Sequence, residues 1–378
     1  MLLALDPDQE LLRETTARLL AELVPVAELR RLRDDPGGFD VAYWRRGAEL
    51  GWTSLLVGEE HGGGSISGQG LVDLSLVAYE FGRHAAPGPL AVTNVVAATL
   101  GELGTDPTGS IVGDLLSGQS IATWCFSEAL SDDRIDQISL QVRVEGDEVV
   151  LDGIKRPVES GDRADHLLVT GRTGSGLTQV LVPAGTAGLS VTPMHSLDLT
   201  RRFSVVAFRD TRVPLASVVG EVGMAAPQVE RQMAHALAIN IAESVGAMQV
   251  AFDMTVEWAF NRYSFGRPLA SYQELKHRFA DMKTWLEASH AISDAAIAAV
   301  AASSPDASEL LSAAKSFIGD YGAELMHDCV QMHGGIGVTF DHDLHLYLRR
   351  HSLNRALNGT PPDHRRRIAD LAELRSVA

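Results

Sequence analysis

Residues 228–261 contain no proline, and their only glycine is Gly246. The stretch runs to about three times the length of an average helix. A helix that long is held by packing of its apolar face more than by propensity, so it commits its neighbourhood to helix-on-helix burial. Two further long helical patterns follow, ELKHRFADMKTWLEASHAISDAAIAAVAA at 274–302 and ASELLSAAKSFIGDYGAELMHDCV at 307–330. Helices of this length pack as an antiparallel bundle.

The rest of the chain changes character twice. Residues 6–120 are helical in pattern. The segment DPDQELLRETTARLLAEL places Asp6 as an N-cap and Leu11, Leu12, Leu19, Leu20 and Leu23 along one broad face. From about 121 to 222 the period shifts to two. Ile138, Leu140, Val142 and Val144 alternate, the chain turns at Gly146–Asp147, and alternation resumes at Val149 and Leu151, which reads as a hairpin. Short strands HLLVTGR, TQVLVPA, LSVTPM and FSVVAFRDTRVP follow. This order predicts an α+β protein. An N-terminal helical domain (1–120) precedes a middle β sandwich or barrel (121–222) and a C-terminal helical bundle (223–378).

A net charge of −17 argues against nucleic acid or an anionic membrane as a general partner. No window approaches the roughly 18 unbroken apolar residues of a membrane span, and the N-terminus turns acidic too early for a signal peptide. The two cysteines, Cys125 and Cys329, form no pair motif, which fits a reducing cytoplasm.

The stretch QMHGGIGVTFDHDLHLYLRR at 331–350 interrupts a helical pattern with Gly334, Gly335 and Gly337. It admits a loop through which backbone approaches phosphate, a metal site, or a helix C-cap. His342 and His345 lie three apart without Cys, Asp or Glu at a recognised ligand spacing, so no metal is expected and both histidines read as helix-surface or interface residues.

Several phrases, in order along nearly the whole chain, resemble the acyl-CoA dehydrogenase family of flavoproteins. Arg262-Tyr-Ser-Phe265-Gly266 with Tyr272-Gln273 and Ala280-Asp281-Met282 is similar to its R-x-x-F-G … F-Q … A-D-M signature. Gln331-Met-His-Gly334-Gly335-Ile-Gly337 resembles Q-x-H-G-G-x-G, GWTSLLVGEEHGGG the G-W … P-E-x-x-G-G phrase, and Gly153-Ile-Lys155 the middle domain's G-x-K. The resemblance implies FAD as cofactor, an acyl-CoA substrate, electron-transfer flavoprotein as acceptor, and a tetramer. By the same resemblance Arg262, Phe265, Gln273, Gln331, Gly334 and Gly335 serve the phosphate and adenine end of the flavin. Ser127, in Ser127-Glu128-Ala129 where T-E-P is usual, and Thr360 offer hydroxyls to flavin or substrate. Lys155-Arg-Pro157-Val158-Glu159 departs from the family's K-x-W-I-T.

The family's chemistry removes an α-proton from a thioester, and so needs a carboxylate base. The resemblance puts that glutamate in a Y-E-G-T phrase, which here reads Leu357-Asn358-Gly359-Thr360. Asn358 accepts no proton. The alternative position on the long helix is Ala236. Glu243, on the apolar face of ALAINIAESVGAMQ, remains as a candidate base, a pocket-floor residue or a structural partner for an arginine. Thr360 before Pro361 also reads as an N-cap. A chain without the usual base further resembles subunits of actinobacterial steroid side-chain dehydrogenases, which implies a homologous partner in a heterotetramer as the alternative to a homotetramer. A flavin-free acyl-binding scaffold is the reading from another class.

Overall fold

The structure, a computed structural model, describes residues 5–33, 35, 38–104, 110–128 and 135–377. The first helices are α1 (Pro7–Leu23), α2 (Val26–Leu29), α3 (Val41–Glu49), α4 (Gly70–Arg83), α5 (Leu90–Leu103) and α6 (Ile111–Leu116). Strands β1 (Ala122–Cys125), β2 (Gln141–Glu145), β3 (Glu148–Glu159), β4 (His166–Thr173), β5 (Gly176–Pro183), β6 (Leu189–Met194), β7 (Phe203–Pro214) and β8 (Val218–Val219) follow. Helix α7 (Ala226–Asn261) leads through a small hairpin, β9 (Tyr263–Ser264) and β10 (Arg267–Pro268), into α8 (Gln273–Ala301), α9 (Ala307–His333), α10 (Leu344–Ala356) and α11 (Pro361–Val377). The expected α+β order of helices, strands and long helices is what the chain adopts.

Local expectations hold or fail for identifiable reasons. Asp6 accepts the N–H of Gln9 at 2.8 Å while the Gln9 side chain returns to Asp6 N–H, a reciprocal cap at the start of α1. The buried stripe of α1 is narrower than the leucines suggest. It runs through Gln9, Leu12, Thr16 and Leu20, and Leu11 and Leu23 face outward. The hairpin turns at Gly146–Asp147, with Glu145 opposite Glu148 and Gly146 at φ 65°. Its first strand begins at Gln141, later than the alternation implies. Residues 135–137 form a 3-10 turn there, and the Arg172 guanidinium binds the carbonyls of Ile135 and Ile138.

The β region is one mixed sheet of order β6–β7–β3–β2–β4–β5–β8, with β1 beside β4. β1 and β4 run parallel, β2 meets β4 in a single parallel pairing, and the other pairings are antiparallel. One face buries Val149, Leu151, Val169, Val180, Val206 and Phe208. Alternation along β1 sends Cys125 to that face and Trp124 to a second apolar cluster with α5 and the first turns of α7.

Packing groups these elements into two compact units. One comprises residues 30–74 and 87–236, the other residues 1–29, 75–86 and 237–378. In the first, a buried amide chain ties helices to strands. Gln179 donates to Thr170 (2.8 Å) and Gln232 (2.7 Å), and Gln232 donates to Thr99 (2.8 Å). In the second, α4 crosses α7 at two glycines. A Cβ on Gly246 would stand 2.1 Å from the Tyr79 carbonyl oxygen, and one on Gly82 would stand 1.9 Å from that of Glu243. Only glycine permits backbone to meet backbone so closely.

Candidate active site

The glycine hinge that closes α9 is a helix terminus with an open side. Gly334 N–H donates to Gln331 C=O, and Gly334 adopts φ 65°, ψ −140°, a conformation that belongs almost only to glycine. A Cβ on Gly334 or Gly335 would meet nothing within 4 Å. Gly334 and Gly335 are therefore not required by close packing within the chain and are exposed, whereas a Cβ on Gly337 would stand 2.7 Å from the Val330 carbonyl oxygen.

Aromatic stacking joins this hinge to the Arg262 segment. The Arg262 guanidinium lies 5.8 Å from the Trp258 ring centroid, and Trp258 stacks on His333 at 5.1 Å with rings 24° apart. His342 completes the group, 4.4 Å from His333 and edge-on to Trp258. An ion pair between Arg278 and Asp328 (2.6 Å) places the first turn of α8, with Gln273, at the same end as the last turn of α9, with Gln331. Arg262, Phe265, Gln273, Gln331, Gly334 and Gly335 are all exposed there. Phe265 is 98 % exposed at the tip of the β9–β10 hairpin with φ 51°, and Arg267 stacks over Tyr272 at 3.8 Å behind it. Helix α8 starts without a side-chain cap. An exposed guanidinium, uncapped helix N–H groups and glycine backbone form a donor set suited to a pyrophosphate.

His345 departs from the surface reading. It is buried against Phe340, at 4.8 Å between rings. Among the described residues no group of three His, Cys, Asp or Glu side chains is placed to hold a metal.

The region where a base is expected is dominated by buried charge. Glu243 Oε1 accepts from Arg350 at 2.5 Å and Oε2 accepts from Asn354 Nδ2 at 2.9 Å. Arg350 is fully buried, and its second terminal nitrogen donates to the carbonyls of Ala85 (3.2 Å) and Ala86 (3.0 Å). One turn from Glu243 on α7, Asn240 accepts from Lys315 of α9 at 2.8 Å. Lys315 also donates to the carbonyls of Asn354 and, at 2.7 Å, Leu357, and so caps the end of α10. Both carboxylate oxygens of Glu243 are thus engaged by donors. Of the roles open to Glu243, partnership with an arginine has an observed geometry.

The Leu357–Thr360 loop reverses the chain between α10 and α11. Asn358 (φ 59°) and Gly359 (φ 88°) are both left-handed, a conformation Asn tolerates better than most residues. His364 Nε2 donates to the Asn358 carbonyl at 2.8 Å, and its Nδ1 faces Ser312 Oγ at 3.2 Å. Burial pushes the His364 pKa down to about 4, so the ring is neutral at pH 7 and this pattern assigns its proton to Nε2. Thr360 donates through both N–H and hydroxyl to Asp363, as an N-cap before Pro361. Ala236, the alternative base position, is buried among Trp124, Phe126 and Val229.

Ser127 belongs to the other unit. Its carbonyl accepts from Arg156 N–H at 2.7 Å, and fully buried Lys155 bridges Glu128 and the Phe126 carbonyl, both at 2.8 Å. Lys155 therefore secures the exit of β1. Ala129 lies outside the described residues. Lys315, Arg350, Asn354 and His364 were not singled out from sequence. Their signal was present: Lys315 follows buried Leu311 by one turn, and Arg350 follows buried Leu346 by one turn.

The acyl-CoA dehydrogenase N-terminal domain model matches residues 6–108, and the C-terminal domain model matches 226–372. The chain is 30% identical to acyl-CoA dehydrogenase IpdE2 of Mycobacterium tuberculosis over 362 residues, covering 96% of each. Butyryl-CoA dehydrogenase from Megasphaera elsdenii superposes with TM-score 0.87 at 20% identity, covering 98% of this chain and all of that one. A Tcur3481–Tcur3483 steroid ACAD variant superposes with TM-score 0.88 at 24% identity, covering 98% of this chain and 99% of that one. No helix among the described residues is long and apolar enough to cross a membrane. Matched at both ends by the family's domain models and along nearly its whole length by a curated relative, this chain belongs to the acyl-CoA dehydrogenase family of oxidoreductases.

Proposed function

We propose that this chain is a base-lacking subunit of a heteromeric, FAD-dependent acyl-CoA dehydrogenase, in which a homologous chain carries the catalytic carboxylate. The observation that supports this reading most is the state of the three base positions. Asn358 has no proton affinity at neutral pH, Ala236 is aliphatic, and Glu243 is held by Arg350 and Asn354. A carboxylate whose oxygens are both engaged inside the fold is poorly placed to reach a substrate α-carbon.

FAD, when bound, supplies the two-electron acceptor for the β-hydride. The residues of this chain that would hold it are those of the α8–α9 end. Arg262 binds a phosphate oxygen through its planar fork, and the first turn of α8 with Gln273 offers backbone N–H groups. Gln331 and the Gly334–Gly335 backbone complete the donors. In this reading Phe265 shields the adenine end from water, and Ser127 offers its hydroxyl to flavin or substrate. Electron-transfer flavoprotein is the expected acceptor of the electrons. The relation in fold to a steroid ACAD named for two components favours a bulky acyl group and a two-component assembly.

The test is the flavin-to-chain ratio of the protein purified alone and co-expressed with a homologous chain, followed by titration with acyl-CoA. Flavin at about one per pair of chains, bleached by acyl-CoA only in the assembly and undiminished by Glu243→Gln, supports the reading. One flavin per chain that bleaches in the isolated protein, with bleaching abolished by Glu243→Gln, refutes it. Arg262→Ala should cost flavin in either case.

A further inference from the structure

One part of the unit that contains the sheet is built with more precision than an apolar core requires. The amide of Gln179, on β5, uses every hydrogen-bonding position it has. Its Nε2 donates to Thr170 Oγ1 (2.8 Å) and Gln232 Oε1 (2.7 Å), and its Oε1 accepts from Gln232 (2.9 Å) and Gln228. Thr170 Oγ1 takes a second donor, the indole N–H of Trp124, at 3.1 Å. Gln232 also reaches Thr99 on α5 at 2.8 Å. Trp124 stacks on Phe126 at 4.7 Å with rings 25° apart, and fully buried Lys155 holds the Phe126 carbonyl. Both rings share one apolar cluster with Val229 and Ala236, and Ala236 follows Gln232 by one helical turn. A satisfied buried network fixes one arrangement of its members, so these rings are not free to swing aside for a guest. Residue 236 is the position at which the family resemblance allows a base on the long helix. An acyl group served from there has to lie against this part of α7, and the chain's own rings fill that space.

We infer that Trp124 and Phe126 are specificity-determining residues that close the space beside residue 236 to a long or bulky acyl group. The amide chain through Thr170, Gln179 and Gln232 positions them. A bulky acyl-CoA therefore has no seat in this chain, and in a two-component assembly it occupies the homologous chain. The inference rests on the proposed reading of this chain as a subunit of an acyl-CoA dehydrogenase. It does not depend on which residue is the base.

The experiment counts S-octyl-CoA bound to the purified holoprotein by equilibrium dialysis, with its partner chain where one co-purifies. This thioether has no carbonyl to activate an α-proton, so binding is read without turnover. The variants are Trp124→Ala, Phe126→Ala and Trp124→Phe, the last keeping a ring in place. In the parent this chain should contribute no site, which leaves about one S-octyl-CoA per pair of chains in a heteromer and about none in a homomer. A truncated core side chain leaves its volume open, so each alanine variant should gain about one site per copy of this chain. Trp124→Phe should keep the parent's count. A parent that already binds one S-octyl-CoA on every chain overturns the inference. So does a folded pair of alanine variants that gains no site, or a Trp124→Phe variant that gains as much as Trp124→Ala. Where the alanine variants fail to fold, Trp124→Leu and Phe126→Leu take their place with the same counts expected. Bleaching of the isolated chain by butyryl-CoA, abolished in Glu243→Gln, would sink the base-lacking reading and leave the S-octyl-CoA counts as they are, so the two failures are separable.

Discussion

Replacing Arg350 by methionine should be among the most damaging single changes in the helical unit. Arg350 is fully buried, its Nη1 lies 2.5 Å from Glu243, and its Nη2 serves the carbonyls of Ala85 and Ala86. Methionine fills much of the volume without the charge. Leaving one member of a buried ion pair unmatched costs about 3–5 kcal/mol. The two orphaned carbonyls add about 1 kcal/mol each where water does not replace the guanidinium. Ala85 is itself left-handed at φ 45°, so its turn is held by Arg350 against local strain. A total of about 5–7 kcal/mol is a large share of the roughly 5–15 kcal/mol that holds a typical fold. Urea unfolding of the parent, Arg350→Met, Glu243→Gln and the double variant gives the coupling directly. Glu243→Gln alone should cost about 2 kcal/mol, and the double variant less than the sum of the singles by about 2 kcal/mol. Additivity within about 0.5 kcal/mol would refute the claim that Arg350 and Glu243 stabilise the fold as a pair.

Two glycines test packing against ligand binding. Gly246→Ala drives a Cβ to 2.1 Å from the Tyr79 carbonyl oxygen and 3.1 Å from Arg83 N, so α4 and α7 must part. A loss of about 1–3 kcal/mol in urea unfolding is expected. Gly335→Ala meets nothing within 4 Å, so it should leave stability within about 0.5 kcal/mol while lowering flavin retention; stability loss at 335 or none at 246 would contradict the geometry. Stability should also fall on acidification. Burial lowers His351 and His364 to about 4, below the unfolded value of about 6.5. The unfolded chain therefore takes up protons first. The stability these neutral rings contribute is complete above about pH 6.5 and is lost as pH falls towards 4, by about 2 kcal/mol per histidine at pH 5. A urea midpoint independent of pH between 7 and 5 would count against both burials.

The bundle was legible because nothing in residues 228–261 interrupts a helix, and α7 duly runs from Ala226 to Asn261. The Asp6 cap and the Gly146–Asp147 turn were legible because each is settled within a few residues. The errors came where a distant group decides. Thr16 hides the true stripe of α1 because a buried hydroxyl reads as a polar break. Ile138 and Leu140, the first alternating residues, stay outside β2, and the Arg172 guanidinium of β4 binds the Ile138 carbonyl and that of Ile135 in the preceding 3-10 turn.

The same division runs through the site. Glu243 was visible as a carboxylate on an apolar helix face, which demands a partner, but that partner is 107 residues away on α10. Sequence could pose the question of its charge and could not answer it. Asn358 illustrates the opposite case, in which a local property and a distant one coincide. The left-handed turn at 358–359 favours asparagine over glutamate on backbone grounds alone. On the proposed reading, in which another chain supplies the base, proton abstraction is not required of this position, and the left-handed backbone alone favours the residue found there.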